Sequence, residues 1–371
     1  MLTQNFKLQT PNFKQNLCFG AQAIHTDTTL LFYVNIFCKG DEPMKRRDFL
    51  KQSAVGATIT VFGRVSPSLF ASGEGAKVAL VKTRDRAAGI EKALKLISFP
   101  SPKGKNVLIK PNFNTADPTP GSTHNDTLRK LVGEMKTRGA AGLTLGESCG
   151  PGSTQAIMEQ KGIPGMAKEL GFNIINFDEM PSEDWVHFNP EGFHWEGGFD
   201  VAKPVVDAEY LLWTCCLKTH QFGGVHTMAL KLAVGTTRKV NGSRFGTLHV
   251  NDGDILKRIA EIHHAFKPHL IVMDGMEIFV DGGPMTGKRV NADVIVAGTD
   301  RVAIDAVGLA VLKHHGSNDA IMSKKIFEQE QLARAVELGL GVESPEQIEL
   351  VTGDSESADY AAKLKEILKQ G

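Results

Sequence analysis

The sequence predicts an α/β fold, a mostly parallel sheet with helices on both faces. Three observations predict it. From residue 77 onward, apolar runs of strand length alternate with segments of helical period. Almost every unusual polar cluster falls just after one of those strands, where open α/β sheets place their ligands. The 371-residue chain has 42 basic and 42 acidic side chains and 42% hydrophobic residues, an ordinary globular balance. The same balance gives no reason to expect a nucleic-acid or acidic-polymer partner.

The elements follow in order. Residues 77–82 are β-branched and apolar and read as a strand. Residues 84–97 place Ala87, Ile90, Ala93, Leu94 and Ile97 at helical spacing. A second strand, 106–110, stops at Pro111. Helix 124–138 carries Leu128, Leu131, Val132 and Met135 on one face. Strand 142–145 runs into a glycine-rich turn, followed by short helices at 153–160 and 165–170 and a strand at 173–177. Residues 180–203 are rich in Trp, Phe, His, Gly and Pro without a helical period, so they read as a β-hairpin or an irregular insertion. Strand 210–215, helices 226–234 and 254–266, strands 269–273 and 292–297, helices 301–312 and 324–338, edge strand 348–351 and helix 358–370 complete the pattern. Such alternation implies parallel strands joined by right-handed crossovers, here within a single domain spanning 77–371.

The first 76 residues stand apart. Residues 44–51 read Met-Lys-Arg-Arg-Asp-Phe-Leu-Lys, and an apolar run at 54–62 follows. This resembles a twin-arginine signal, with Arg46 and Arg47 paired ahead of Phe49, Leu50 and Lys51. The run is too short to span a bilayer as a helix and fits a removable signal. Leu69-Phe70-Ala71 is a poor cleavage site, so an uncleaved anchor is the alternative. The resemblance implies the twin-arginine translocase as a partner and a periplasmic or otherwise exported destination. Residues 44–76 are read as signal and linker. Residues 1–43 are read as an over-extended gene start, with a disordered extension as the other reading.

Four clusters could carry chemistry. Lys110-Pro111-Asn112-Phe113-Asn114 directly follows a strand, and a buried Lys there needs either a bound anion or a carboxylate of the protein itself. In 146–153, a glycine-rich turn leads into a helix; Glu147 is either an acid/base or metal-ligand candidate or part of a capping loop. The turn is neither GxGxxG nor GxxxxGK[ST], so it is no dinucleotide or P-loop signature. The densest cluster is 218–231, where Lys218, His220, His226 and Lys231 surround Gly223-Gly224. Histidine moves protons at neutral pH and is the commonest metal ligand, and glycines let backbone approach a ligand closely. His220 and His226 are therefore candidate catalytic or metal-binding residues. Lys110, Asn112, Lys218, Lys231, Gly223 and Gly224 are candidate cofactor-binding residues. The fourth cluster is late carboxylates: Asp274 after an apolar strand is a catalytic candidate, Asp281 suits a turn, and Asp300 suits a helix cap. His263-His264 and His314-His315 read as surface residues. No Ser-His-Asp or GxSxG signature is present, which argues against a hydrolase triad.

Of the five cysteines, Cys18 and Cys38 lie upstream of residue 77. Cys149, Cys215 and Cys216 remain; an odd number excludes a full disulfide framework, and without CxxC spacing no iron–sulfur cluster is expected. They read as buried small hydrophobes.

Together these clusters resemble the family called domain of unknown function 362, over about residues 77–312. The resemblance is carried by Lys110-Pro111-Asn112, Gly146-Glu147, Lys218-Thr219-His220, Leu230-Lys231 to Gly235, Asp274-Gly275 and Ala303-Ile304-Asp305-Ala306. Leu232 stands where many members carry Asn, and their ferredoxin-like cysteine cluster is absent, which argues against an electron-transfer role. The segment His220-Gln221-Phe222-Gly223-Gly224 followed by Lys231 is also similar, with spacing off by about one residue, to part of the lactate racemase family. That similarity implies a nickel-pincer cofactor joined to a lysine. The expectation is an exported enzyme with a metal or metal-containing cofactor, acting on a small anionic substrate. A periplasmic binding or accessory protein without turnover is the alternative.

Because a receptor reads the arginine pair, Arg46→Lys combined with Arg47→Lys should leave the protein in the cytoplasm. Fractionation checks this; an unchanged periplasmic yield would end the export reading.

Overall fold

The computed structural model describes residues 17–26, 29–38, 75–244, 246–250 and 253–371. The chain divides into two compact units, 1–73 and 74–371. In the first, β1 (Leu17–Thr26) and β2 (Thr29–Cys38) pair antiparallel, from Leu17 opposite Cys38 to Thr26 opposite Thr29. The sequence reading found no period there and missed this hairpin. Residues 44–62, which resemble a twin-arginine signal, and the region near Ala71 lie outside the described residues.

The second unit is built on a nine-stranded sheet. Strand β3 (Ala76–Lys82) leads to helix α1 (Arg86–Leu96), which starts where the Asp85 carboxylate accepts the Ala88 N–H at 3.0 Å. Strand β4 (Asn106–Lys110) ends at its proline, and α2 (Asn125–Thr137) begins with His124 Nδ1 accepting the Asp126 N–H. Strand β5 (Gly142–Glu147), helices α3 (Thr154–Gln160) and α4 (Ile163–Leu170) and strand β6 (Asn173–Asn176) follow. The Trp- and Phe-rich insertion is a hairpin, β7 (Trp185–Phe188) against β8 (Phe199–Ala202), followed by the short α5 (Lys203–Val206).

Strand β9 (Tyr210–His220) is buried at every position, as an apolar strand covered on both faces must be. A tight turn folds β10 (Val225–Thr227) back onto it. What the sequence suggested as one helix at 226–234 is therefore a strand and then the short α6 (Ala229–Leu232). After α7 (Ile255–Glu261), β11 (Leu270–Gly282) and β12 (Gly287–Gly298) form a long hairpin. Helix α8 (Arg301–His314), α9 (Asp319–Met322), α10 (Glu330–Glu337), β13 (Ile348–Val351) and α11 (Ser355–Gln370) close the chain.

The sheet order is β13-β3-β12-β11-β9-β4-β5-β6, with β10 on β9. The sheet is mostly parallel; β12 opposes both its neighbours, and β10 opposes β9. The expected parallel strand at 292–297 is thus an antiparallel insertion, because it is one arm of a hairpin and not the end of a crossover. Apolar clusters cover both faces: Ile90, Leu128, Leu131 and Met135 from α1 and α2 on one, Val307, Val311 and Leu364 from α8 and α11 on the other.

From β4 the chain moves outward to β5 and β6, then returns to lay β9 on the other side of β4. That reversal opens a crevice at the carboxyl ends of β4 and β9, the place where such sheets bind ligands. One connection frames it. Asp305, buried in α8, accepts the Ala229 and Leu230 N–H groups at 2.7 and 3.1 Å and so fixes the start of α6. Replacing Asp305 with Ala leaves two buried N–H groups unpaired. We expect it to cost about 1–3 kcal/mol, read from urea unfolding; a loss well under that range would show α6 to be held by packing alone.

Candidate active site

The site begins with two neighbouring strand ends. Parallel pairing of β4 and β5 sets Ile109 opposite Leu145, which brings Lys110 and Glu147 to adjacent carboxyl ends. Both side chains are fully buried, and Lys110 Nζ donates to Glu147 Oε1 at 2.5 Å and to the Pro111 carbonyl at 2.8 Å. The Glu147 carboxylate also accepts the Ser148 N–H at 2.9 Å and the Phe113 N–H at 3.0 Å. Burial pushes the carboxyl up and the lysine down, and each partner's charge opposes the shift of the other. Gly235 backs the pair; a Cβ there would lie 2.7 Å from Lys110 Nζ and 2.8 Å from Glu147 Oε1.

Strand β9 supplies Lys218 and His220. Lys218 Nζ donates to the Gly121 and Pro284 carbonyls at 2.5 and 3.0 Å, which ties β9 to the loop after β4 and to the β11–β12 turn. His220 Nδ1 accepts the Phe222 N–H at 3.3 Å. Burial, then the charges of Lys231 and Lys218, push its pKa far below the usual histidine range. The imidazole is therefore neutral, with its proton on Nε2, and is a hydrogen-bond donor there.

Lys231 comes from α6, whose Ala229 carbonyl accepts the Trp213 indole N–H and whose Leu230 carbonyl accepts from His263 Nε2. Arg244 completes the set. It is 7% exposed and donates to Ser148 Oγ, the Cys149 carbonyl and Thr237, all neutral oxygens.

These residues line one cleft at the strand ends. Lys110, Lys218, Lys231 and Arg244 give four positive charges, and Glu147 is the single carboxylate in the lining, a net of three positive. Asn112 and Asn114 line it too, and Asn112 Oδ1 and Asn114 Nδ2 are buried without a hydrogen-bond partner among the described residues. Burial pushes Lys218 and Lys231 down to about 8, with the charges of Arg244 and Lys218 adding to the effect on Lys231.

The structure thus brings together Lys110, Asn112, Glu147, Lys218, His220 and Lys231, and it corrects the readings of Asp274, His226 and the two glycines and the acid/base role of Glu147. Asp274 is outside the cleft, because β11 does not end there but runs on to Gly282. Its carboxylate is occupied by Arg86, Thr127 Oγ1 and the Met276 N–H. His226 pairs with Thr219, whereas Val225 pairs with His220; strand alternation sends the two histidines to opposite faces of the ribbon. His226 is buried with both ring nitrogens lacking a partner among the described residues, and burial lowers it to about 3. Gly223 and Gly224 form the turn and do not line the cleft. Gly224 is needed because a Cβ would lie 2.6 Å from Lys231 Cε and 2.9 Å from His220 Nδ1. Glu147 has no free acid/base role, since both oxygens are engaged; it holds Lys110 in place.

Asp300 caps α8 as its spacing suggested, accepting the Val302 and Ala303 N–H groups. His263, read as a surface residue, is buried, with Nδ1 accepting from Arg301. Cys149, Cys215 and Cys216 are free and buried.

The residues do not fit a metal ion held by His220 and His226. Among the described residues no three His, Cys, Asp or Glu side chains converge on one point. The protonated His220 Nε2 presents no lone pair, and the cationic lining repels a bare divalent ion. Arg244 and Asn114 are the functional residues that the sequence reading missed. Arg244 sits alone in a polar loop and carried no local signal. Asn114 lay inside a recognised cluster, where an amide two residues past Asn112 was the available cue.

Residues 107–310, more than half of the chain, match the model of a family described as Domain of unknown function (DUF362). No curated protein matches. Among solved structures, the lactate racemase apoprotein from Thermoanaerobacterium thermosaccharolyticum aligns at 13% identity over 82% of this chain and 88% of that one, with a TM-score of 0.36. A likeness of that size carries no argument about chemistry.

The buried pair makes a stability prediction. Lys110→Met strands the Glu147 carboxylate and should cost about 3–5 kcal/mol in urea unfolding, whereas Lys110→Met with Glu147→Leu should recover most of it. A double variant no more stable than the single one would mean that Lys110 is held by something other than Glu147.

Proposed function

The chain belongs to the DUF362 family, and from that premise we propose that it is an exported enzyme acting on a small anionic substrate bound in this cleft. The observation that carries the reading is the charge count: four buried cations and one carboxylate at the strand ends. Nearly dry positive charge in that excess is costly, and a bound anion offsets the cost. Arg244 suits a planar carboxylate or phosphate, and Lys218 and Lys231 act as point charges. The unpaired amide of Asn114 adds a neutral donor. His220, neutral with a proton on Nε2, donates a hydrogen bond to a developing oxyanion. Any metal entering such a lining would have to arrive within an anionic complex. The Arg46-Arg47 pair with Phe49-Leu50-Lys51 supports the periplasmic setting and the twin-arginine translocase as partner.

The two depressed lysines give the anion site a pH signature. In the empty protein the charged forms of Lys218 and Lys231 are disfavoured, with pKa values near 8 against 10.5 for free lysine. Between those values the unfolded chain binds more protons than the folded one, so their contribution to stability rises with pH. Anion binding has the opposite sign: it favours the protonated lysines, and affinity falls as pH rises through about 8. Calorimetric titration with phosphate, sulfate and small carboxylates should show binding that weakens by up to about tenfold per pH unit for each lysine losing its proton. Arg244→Met should weaken it by about tenfold or more. Absence of binding by all of these anions, or affinity flat across pH 8, would overturn the reading.

A further inference from the structure

We propose that Lys231 is the nucleophile of an imine-forming site for small 2-oxo acids. The proposal rests on the anion-binding reading and adds the substrate class to it. The starting observation is a difference among the three lysines of the cleft. Lys110 Nζ is engaged by Glu147 and the Pro111 carbonyl, and Lys218 Nζ by the Gly121 and Pro284 carbonyls. Lys231 is 7% exposed and lines the same cleft, and its Nζ makes no hydrogen bond or ion pair among the described residues. A buried lysine without a carboxylate serves chemistry better than structure.

Its surroundings favour the reactive form. Arg244 and Lys218 are its charged neighbours, and a cationic neighbourhood with little water releases the neutral amine. With its pKa near 8, a useful fraction is free amine close to neutral pH. The amine is also well placed. Helix α6 is fixed by Asp305 at its start and by Trp213 and His263 on its carbonyls, and Gly224 leaves room for the lysine stem.

The substrate class follows from the lining. An amine needs an electrophilic carbonyl, and Arg244 and Lys218 need an anion; a 2-oxo acid carries both on adjacent carbons. A phosphate alone offers no carbon to attack, and a simple carboxylate is a poor electrophile. In the step itself, the amine lone pair forms a C–N bond to C2 and the carbonyl π pair moves onto oxygen. That oxygen takes the proton released when the Lys231 ammonium became the free amine, while the neutral His220 Nε2–H steadies it with a hydrogen bond. It leaves as water once it gains a second proton, from the amine. Summed, a lysine ammonium and a ketone give a protonated imine and water; charge is conserved and nothing is oxidised or reduced.

The experiment is reductive trapping on the full chain. Purified protein is incubated with pyruvate or glyoxylate and sodium cyanoborohydride, then mapped by peptide mass spectrometry, beside calorimetry of the same protein with lactate, which binds as an anion but has no carbonyl. The expected result is one alkylated lysine, Lys231, with the yield cut at least about tenfold by excess lactate and lost in Lys231→Arg. If lactate binds but Lys231 is not alkylated, the imine proposal fails and the anion reading stands. If lactate, phosphate and sulfate all fail to bind, the anion reading fails first. Alkylation spread over surface lysines and indifferent to lactate, or a purified chain in which Lys231 already carries another group, would also overturn the proposal.

Discussion

The structure turns on keeping several positive charges out of water at one edge of a sheet. Lys110, Lys218, Lys231 and Arg244 are each 7% exposed or less, and one carboxylate, Glu147, answers them within the cleft. Each uncompensated charge costs several kcal/mol, comparable to the whole stability of a domain. A protein tolerates that only where the surrounding fold is rigid enough to hold the charges. Strain of this kind belongs to function, at the expense of stability.

Most of the local architecture serves that arrangement. Adjacent parallel strands set Lys110 beside Glu147, and three donors on one carboxylate lock the pair. The reversal of strand order between β4 and β9 opens the crevice into which they face. Short helix α6 is too small to be stable alone, so α8, β9 and His263 each supply a hydrogen bond to it. Gly235 and Gly224 are bare because the lysines and His220 occupy the space that a side chain would need.

The acidic and basic groups then divide their work. Glu147 and Asp305 are structural carboxylates with every oxygen engaged, so neither is a free base. His220 stays neutral among cations and donates where a protonated imidazole would only add to the repulsion. Within the cleft it is therefore Lys218 and Lys231, and not His220, that titrate near pH 8, as does the buried Asp305, raised to about 8 by burial.

The sequence by itself determined the alternation of strands and helices, the edge strand near 348 and the cap at Asp300, because hydrophobic period and capping are local properties. It also placed Lys110, Asn112, Glu147, Lys218 and His220 near strand ends and Lys231 in a short helix that follows, since polar residues that break an apolar run are conspicuous. Tertiary structure decided the rest. The antiparallel course of β12 came from a hairpin whose length no local signal sets, and Asp274 fell in mid-strand for the same reason. The separation of His226 from His220 came from a one-residue register in the β9–β10 turn, which flips every side chain to the other face. Arg244 entered from a distant loop to contact Ser148 and Cys149. Charge balance is a property of what converges in space, so only the folded chain could show the excess of cations in this lining.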